Sequence, residues 1–279
     1  MLLARAIKRD AVPGRSLALG MTLTLLTLCV LIPLAAVAAT AAGMSGPALA
    51  HALFSPRALA AFRLTFGASL VAAAVDVVAG TLVAWILVSF RFAGRTVLDA
   101  VVDIPFALPT AVTGIAFATL YGPNGPLGAL LIAHGIHVAY TPAGVALALT
   151  FVGFPFVVRS VGPVLAAMPR EFDEAAASLG ASPFGRLVSI TLPLLAPAML
   201  AGFALALARA LGEYGSVVFI SGNMPLRTEI VPLLIMTRLQ EFDDSGAAAI
   251  AVVLLLASFL LLLAIAAIER RLIVARVRA

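Results

Sequence analysis

Charge is what this chain has least of: only 11% of its 279 residues are Asp, Glu, Lys or Arg, against roughly 25% in a soluble domain, while 63% are hydrophobic. Water is therefore not its main solvent. Cysteine occurs once, at Cys29, so no internal disulfide can form. Lysine also occurs once, at Lys8, and neither Gly-Lys-Ser nor Gly-Lys-Thr is present, so the chain should bind no nucleotide cofactor and hydrolyse no ATP itself. His134 and His137 stand three apart but have no neighbouring Cys or carboxylate to complete a metal site. No stretch alternates with the period of a barrel strand, which leaves helices as the economical way to cross a bilayer. Nor is there a soluble domain, a low-complexity linker or a clear internal repeat.

What is present is apolar sequence in membrane-sized lengths. Crossing as a helix takes about 20 residues, and such stretches run at about Leu17 to Ala42, Arg63 to Phe90, Leu98 to Tyr121, Pro142 to Val161, Pro197 to Ile220 and Ala247 to Ile268. The fold class expected is an all-α polytopic membrane protein of six transmembrane helices. The basic start, the apolar run and the small residues near Ala36 to Ala42 imitate a secretory signal, but the run is long and further spans follow, so an uncleaved first helix is expected.

A net charge of +5 and a pI near 10.3 invite a nucleic-acid reading. The distribution argues for a membrane side instead. Arg5, Lys8, Arg9, Arg15, Arg91, Arg95, Arg159, Arg170, Arg186, Arg270, Arg271, Arg276 and Arg278 fall in the tails and alternate connections, whereas the opposite loops hold only Arg57, Arg63, Arg227 and Arg238. Cations accumulate on the cytoplasmic side, so both termini are expected in the cytosol, with lipid and not nucleic acid as the surroundings. Arg in place of Lys, with abundant Ala, suits a GC-rich bacterial genome.

Ionisable residues inside spans mark the places to ask about function, because a central charge costs about 2.5 to 3.5 kcal/mol on insertion scales and normally turns inward. Arg209 and Glu213 are four apart in the fifth stretch, so on one helix they share a face and can pair. Either the pair fixes helix contacts, or Arg209 supplies positive potential to an anion path while Glu213 limits how tightly the anion is held. Asp76, near the centre of the second span, pairs with a cation such as Arg209, bonds between helices, or titrates. In the third span Pro105 and Pro109, followed by Thr110, Thr113 and Gly114, predict a bent or interrupted helix. It is either a packed kink or a wall of the cavity.

Tyr121 to Pro126 and Ser221 to Pro225 read as turns outside the membrane. Ile230 to Met236 is too short to span, and either re-enters as a gate or lies on the outer surface; with Asn223, Pro225, Arg227 and Glu229 it forms the candidate external loop.

The densest signal lies between the fourth and fifth spans. Pro169 sits where a helix can spare an N–H, Glu171, Asp173 and Glu174 place negative charge in the first turns, and Gly180 offers a left-handed stop. A short helix is predicted from about Pro169 to Leu179, with Phe172, Ala175, Ala176 and Leu179 at helical spacing. Ser182 caps a second helix starting at Pro183 and interrupted at Pro193. Periodicity alone allows this hairpin to pack on its own bundle. Its spacing, Glu174-Ala175-Ala176, then Gly180, then Ile190 and Leu192-Pro193, resembles the signature of the membrane subunits of bacterial ATP-binding-cassette importers.

The run Ala208 to Val217, with Gly222-Asn223-Met224-Pro225, Thr228-Glu229-Ile230, Pro155 to Arg159 and Gln240 to Asp243, is similar to the T-type permeases of sulfate and thiosulfate importers. Molybdate and tungstate permeases share the layout, but typically carry Phe-Gly-Ala where Tyr214-Gly215-Ser216 stands. The resemblance implies a type I importer fold whose hairpin is a coupling helix seated in an ATPase subunit. Glu174 would meet a basic partner, Ala175 and Ala176 would allow close approach, and Gly180 would supply the bend. It further implies two ATPase subunits holding ATP and Mg, a homologous W-type permease and a periplasmic binding protein, in the bacterial inner membrane. The expected organisation is a cytoplasmic tail over 1–16, a first helix and external loop over 17–61, a transmembrane core over 62–268 with the coupling loop at about 164–195, and a second cytoplasmic tail over 269–279.

Overall fold

The computed structural model describes residues 15–278, so Arg5, Lys8 and Arg9 of the expected N-terminal tail lie outside the described residues. All regular structure within that range is helical. The elements are α1 (Leu17–Ala42), with a π-helical turn at Thr27–Leu31, α2 (Gly46–Phe54), α3 (Pro56–Ser89), α4 (Arg95–Val102), α5 (Ile104–Ala107), α6 (Thr110–Tyr121) and α7 (Pro126–Ala133). They continue with α8 (Pro142–Ala166), α9 (Arg170–Ser178), α10 (Pro183–Leu211), α11 (Gly215–Ser221), α12 (Val231–Gln240) and α13 (Asp244–Arg278). Five helices, α1, α3, α8, α10 and α13, are long and apolar enough to cross a membrane, and α6 with α7, bent by 45° at their junction, make a sixth crossing if taken as one span.

One expectation is met and three are corrected. The third stretch, Leu98 to Tyr121, is interrupted as its prolines predict, into α4, α5 and α6, with breaks at Asp103 and at Leu108–Pro109. Pro105 and Pro109 each fall at the start of a new helix, where a missing N–H costs nothing. The turn after Tyr121 leads into a further apolar helix, α7, rather than into an external loop.

The fifth span starts earlier and ends earlier than the stretch Pro197 to Ile220. It grows directly out of the hairpin as α10 and stops at Leu211, with α11 beyond a break. Pro193 does not interrupt it. The π-helical turn at Leu187–Thr191 widens the backbone just before Leu192 and Pro193, giving the proline ring room where a regular i−4 carbonyl would obstruct it.

The core is built on α3, α8 and α10, which pack on one another along most of their lengths. Small residues make this possible: Ala73 and Ala84 of α3 and Ala206 of α10 are buried beside Val157, Val158 and Val161 of α8, and Ala72 beside Val145 and Ala148. Without water to drive association, close backbone approach and dispersion hold such helices together. By contrast α1 touches the bundle mainly at its end, where Ala41 meets Ala248 and Ala249 of α13. Lipid or another protein covers the rest of α1.

The alternation of crossings puts the 90–94 and 167–182 connections at one end, the hairpin end, and residues 222–243 at the other. There Val231 and Leu234 of α12 are buried with Ala58, Ala61 and Ile250. The Ile230 to Met236 segment is therefore a packed helical cap, seated on α3 and α13.

Candidate functional site: a coupling knuckle and a mid-bundle joint

The hairpin is shaped almost wholly by its own residues. Pro169 takes the N-cap position of α9, and Glu171 and Asp173 occupy the first turn, where the helix dipole favours negative charge. At the other end Gly180 has φ +83°, and the N–H groups of Gly180 and Ala181 donate to the carbonyls of Ala177 and Ala176, both at 3.0 Å. This pair of bonds is a Schellman stop, and it needs the left-handed conformation that glycine adopts without strain. The Ser182 hydroxyl accepts from the Gly185 N–H at 3.1 Å, starting α10 as its sequence predicts. Arg186 reaches back to Asp173 at 3.4 Å. Helix, turn and helix are thereby locked as one knuckle.

Its apolar face does not pack on the bundle. Leu179 is 89% exposed and Phe184 74%. Phe172, Glu174 and Ala175 are exposed too, with Ala176 half-buried. Phe172 also borders a groove of about 420 Å³ with Val164, Met168 and Leu194. Ile190 and Leu192 are half-buried and Pro193 is exposed where the knuckle passes into the membrane part of α10.

The second group lies where two broken spans meet. Arg209 pairs with Glu213 at 2.5 Å. They are not on one continuous helix, because α10 ends at Leu211 and Glu213 stands in the unwound link 212–214. The Glu213 carboxylate is 1% exposed and also accepts from the Ser216 N–H at 2.8 Å and hydroxyl at 2.9 Å, so it caps α11 while holding Arg209. Opposite stands the start of α6. A Cβ on Gly215 would strike the Thr110 side chain, and one on Gly114 would lie 2.5 Å from the Ser216 carbonyl oxygen, so Gly114 is required by backbone contact and Gly215 by the packed threonine. Thr113 is buried, and its hydroxyl, at 3.5 Å, and its N–H, at 3.2 Å, point to the Pro109 carbonyl. Thr110 and Thr113 thus belong to a packed joint, whereas Pro105 borders an apolar cavity of about 410 Å³ with Val83, Phe117 and Phe154.

Asp76 does not join this group. It is 1% exposed, its carboxylate lies against Gly153 of α8, and it bonds to no side chain or backbone group among the described residues. The suggested pairing with Arg209 is overturned, because Glu213 already engages that guanidinium.

At the end opposite the hairpin, Glu229 is buried and receives Nε and Nη2 of Arg57, both at 2.7 Å. Asn223 has φ +47°, Pro225 and Arg227 are exposed, and the Thr228 hydroxyl donates to the Ser221 carbonyl at 2.6 Å. Two clamps were not foreseen. Arg57 and Glu229 are 172 residues apart, and Arg159, read only as a topological marker, bonds Asp99 at 2.7 Å and Asp103 at 2.6 Å. A sequence signal existed for the second, since Asp99 and Asp103 form an i, i+4 acidic pair in a chain poor in charge. Outside the spans, the guanidinium of Arg238, aided by the Gly246 N–H, holds the Asp243 carboxyl below the usual carboxylate range.

A multi-pass helical bundle with discontinuous spans and a protruding two-helix knuckle is the architecture of a membrane permease subunit. Residues 76–274 match the family model described as the binding-protein-dependent transport system inner membrane component, and the chain belongs to that family. It is 46% identical over 232 residues to the probable sulfate transport system permease protein cysT of Nephroselmis olivacea, covering 83% of this chain and 82% of that one. To the sulfate transport system permease protein CysT of Escherichia coli (strain K12) it is 45% identical over 235 residues, covering 84% and 85%. The fold is similar to a bacterial alginate ABC transporter solved with an alginate pentasaccharide-bound periplasmic protein, at TM-score 0.75 and 15% identity over 92% of this chain and 93% of that one. It is also similar to the inward-facing MetNI methionine ABC transporter, at TM-score 0.60 and 17% identity over 82% and 99%.

Proposed function

We propose that this chain is the membrane-spanning permease subunit of an ATP-driven importer that carries sulfate or thiosulfate inward across the bacterial inner membrane. The observation that carries the reading is the locked knuckle with Leu179 and Phe184 thrust into solvent, on a chain about 45% identical to CysT permeases. A rigid lever with an uncovered apolar tip is built to be gripped by another protein. The grip belongs to two cytosolic ATPase subunits, which hold ATP and Mg and do the hydrolysis, this chain having no catalytic site of its own. Glu174 meets a basic residue of the ATPase, while Ala175 and Ala176 let the two surfaces close.

The hairpin end faces the cytosol with both terminal tails, and residues 17–61 supply the first helix and an external loop to the core over 62–268. A homologous W-type permease completes the path, and a periplasmic binding protein delivers the anion. Because α10 runs without interruption from the knuckle to Arg209, a tilt imposed at Gly180 is transmitted to the joint of broken spans. Such joints suit a switching path, since discontinuous helices offer polar backbone and a cation at membrane depth. A two-state lever requires different contacts in its two states, and nucleotide binding by the partner supplies them.

The test is co-purification with the ATPase followed by vesicle uptake. Uptake of labelled sulfate that requires both ATP and the delivery protein is expected, and Glu174→Lys should lower recovery of the ATPase in pulldown. Uptake driven by a pH gradient without ATP overturns the reading, and unaltered pulldown removes the Glu174 contact.

A further inference from the structure

A cavity lies away from the joint, at the end opposite the knuckle. It is an open groove of about 610 Å³ between α3, the start of α8 and the 222–230 turn, with Arg63 on one wall and Arg227 on the other. Neither guanidinium has a hydrogen bond or ion pair among the described residues. Nearby acids are already engaged: Arg57 takes Glu229 and Glu241, and Arg238 takes Asp243.

The turn that carries Arg227 is pinned. The N–H groups of Arg227, Thr228 and Glu229 all donate to the Met224 carbonyl, at 3.2, 2.9 and 3.1 Å, and Leu226 is held at φ +65°. Behind it, Glu229 is clamped to Arg57 at the base of α3. Arg63 stands on the same helix, two turns in. Small residues, Gly67, Ala68, Ala143 and Ala146, line part of the groove beside the larger Leu64, Val71 and Leu226. Unpaired arginines are unexpected on the face that topology keeps poor in cations, and a guanidinium fork matches the paired oxygens of an oxyanion.

We infer that the Arg63–Arg227 groove is a binding site for a tetrahedral oxyanion at the outer mouth of the permease, occupied before the anion reaches Arg209. The inference rests on the importer reading and adds to it a specific place of arrival. It is tested with the importer assembled from all its subunits in phosphatidylcholine nanodiscs, without delivery protein, by equilibrium binding of inorganic sulfate. Saturable binding that weakens with added salt is expected. The double variant Arg63→Gln, Arg227→Gln should raise Kd about tenfold or more, the scale of losing charge-assisted hydrogen bonds, and the double Lys variant should recover part of the loss.

An unchanged Kd in the double Gln variant overturns the inference, as does absence of saturable binding in the parent. Unchanged sulfate binding with lost retention of phosphatidylglycerol overturns it in favour of a lipid headgroup site. Loss of subunit association in both double variants overturns it in favour of a protein interface. ATP-driven uptake by the parent assembly is measured in parallel, so uptake that does not depend on Arg63 and Arg227 sinks the groove and leaves the importer reading standing.

Discussion

The knuckle and the mid-bundle joint are both turns between helices, yet they are made in opposite ways. Every bond that shapes the knuckle lies within residues 169–186, and its large apolar side chains point outward. In the joint, Gly114 meets Ser216 across about a hundred residues of chain, and beside that contact the buried Glu213 holds the half-buried Arg209. Local bonds suit the proposed lever, which must keep its shape while a partner moves. A contact between separate spans suits the proposed path, which must change shape.

That contrast is broken most severely at Glu213. Glu213→Ala leaves the half-buried Arg209 without its partner and Ser216 without its acceptor, and losing hydrogen bonds to a charged group costs about 1.5 to 3 kcal/mol. A large loss of thermal stability and of folded permease in detergent is expected, and wild-type stability would show the pair to be solvated. Gly114→Val comes next, because its side chain meets the backbone of Ser216 rather than a movable group. Overpacking of this kind costs about 1 to 3 kcal/mol, read as lost uptake with the hairpin still able to bind the ATPase.

Gly180→Val tests the other side of the comparison. Left-handed backbone costs a non-glycine residue about 1 to 2 kcal/mol, more for a β-branched one. The variant should insert and assemble its membrane core normally while ATP hydrolysis no longer drives uptake. Retained coupling would show that the turn is not the lever's fulcrum.

The smallest effect concerns Asp243, outside the spans. Its carboxyl is lowered first by the Arg238 hydrogen bond and then by the Gly246 N–H. A lowered group contributes stability that is present above its unfolded pKa, about 3.9, and lost as pH falls through the folded value. The protection of α12 amides relative to their intrinsic exchange should therefore fall at acid pH, by less than about 1 kcal/mol for so exposed a pair. Asp243→Asn should remove that pH dependence.

Much of this was legible in one dimension because its causes are local. Membrane residence follows from composition, and the limits of α9 follow from Pro169, Gly180 and Ser182, since caps and left-handed stops are chosen by residues a few positions apart. The breaks in the third and fifth spans were only half legible. Pro105 and Pro109 announce a defect, and Gly212 followed by Glu213 and Ser216 is a local signal for the end of α10, but the apolar run on to Ile220 masks it. Pro193 misled for the converse reason, as a π-helical turn upstream accommodated it.

By itself, then, the order of residues determined an all-helical membrane bundle, its knuckle and the family to which it belongs. Tertiary structure alone decided that Arg57 clamps Glu229, that Arg159 grips Asp99 and Asp103, that Asp76 stands apart from Arg209, and that Arg63 and Arg227 face one groove. The physical reason is distance along the chain. Hydrogen-bonded turns and apolar periods are settled among near neighbours, whereas the pairing of scarce charges depends on which helices pack together.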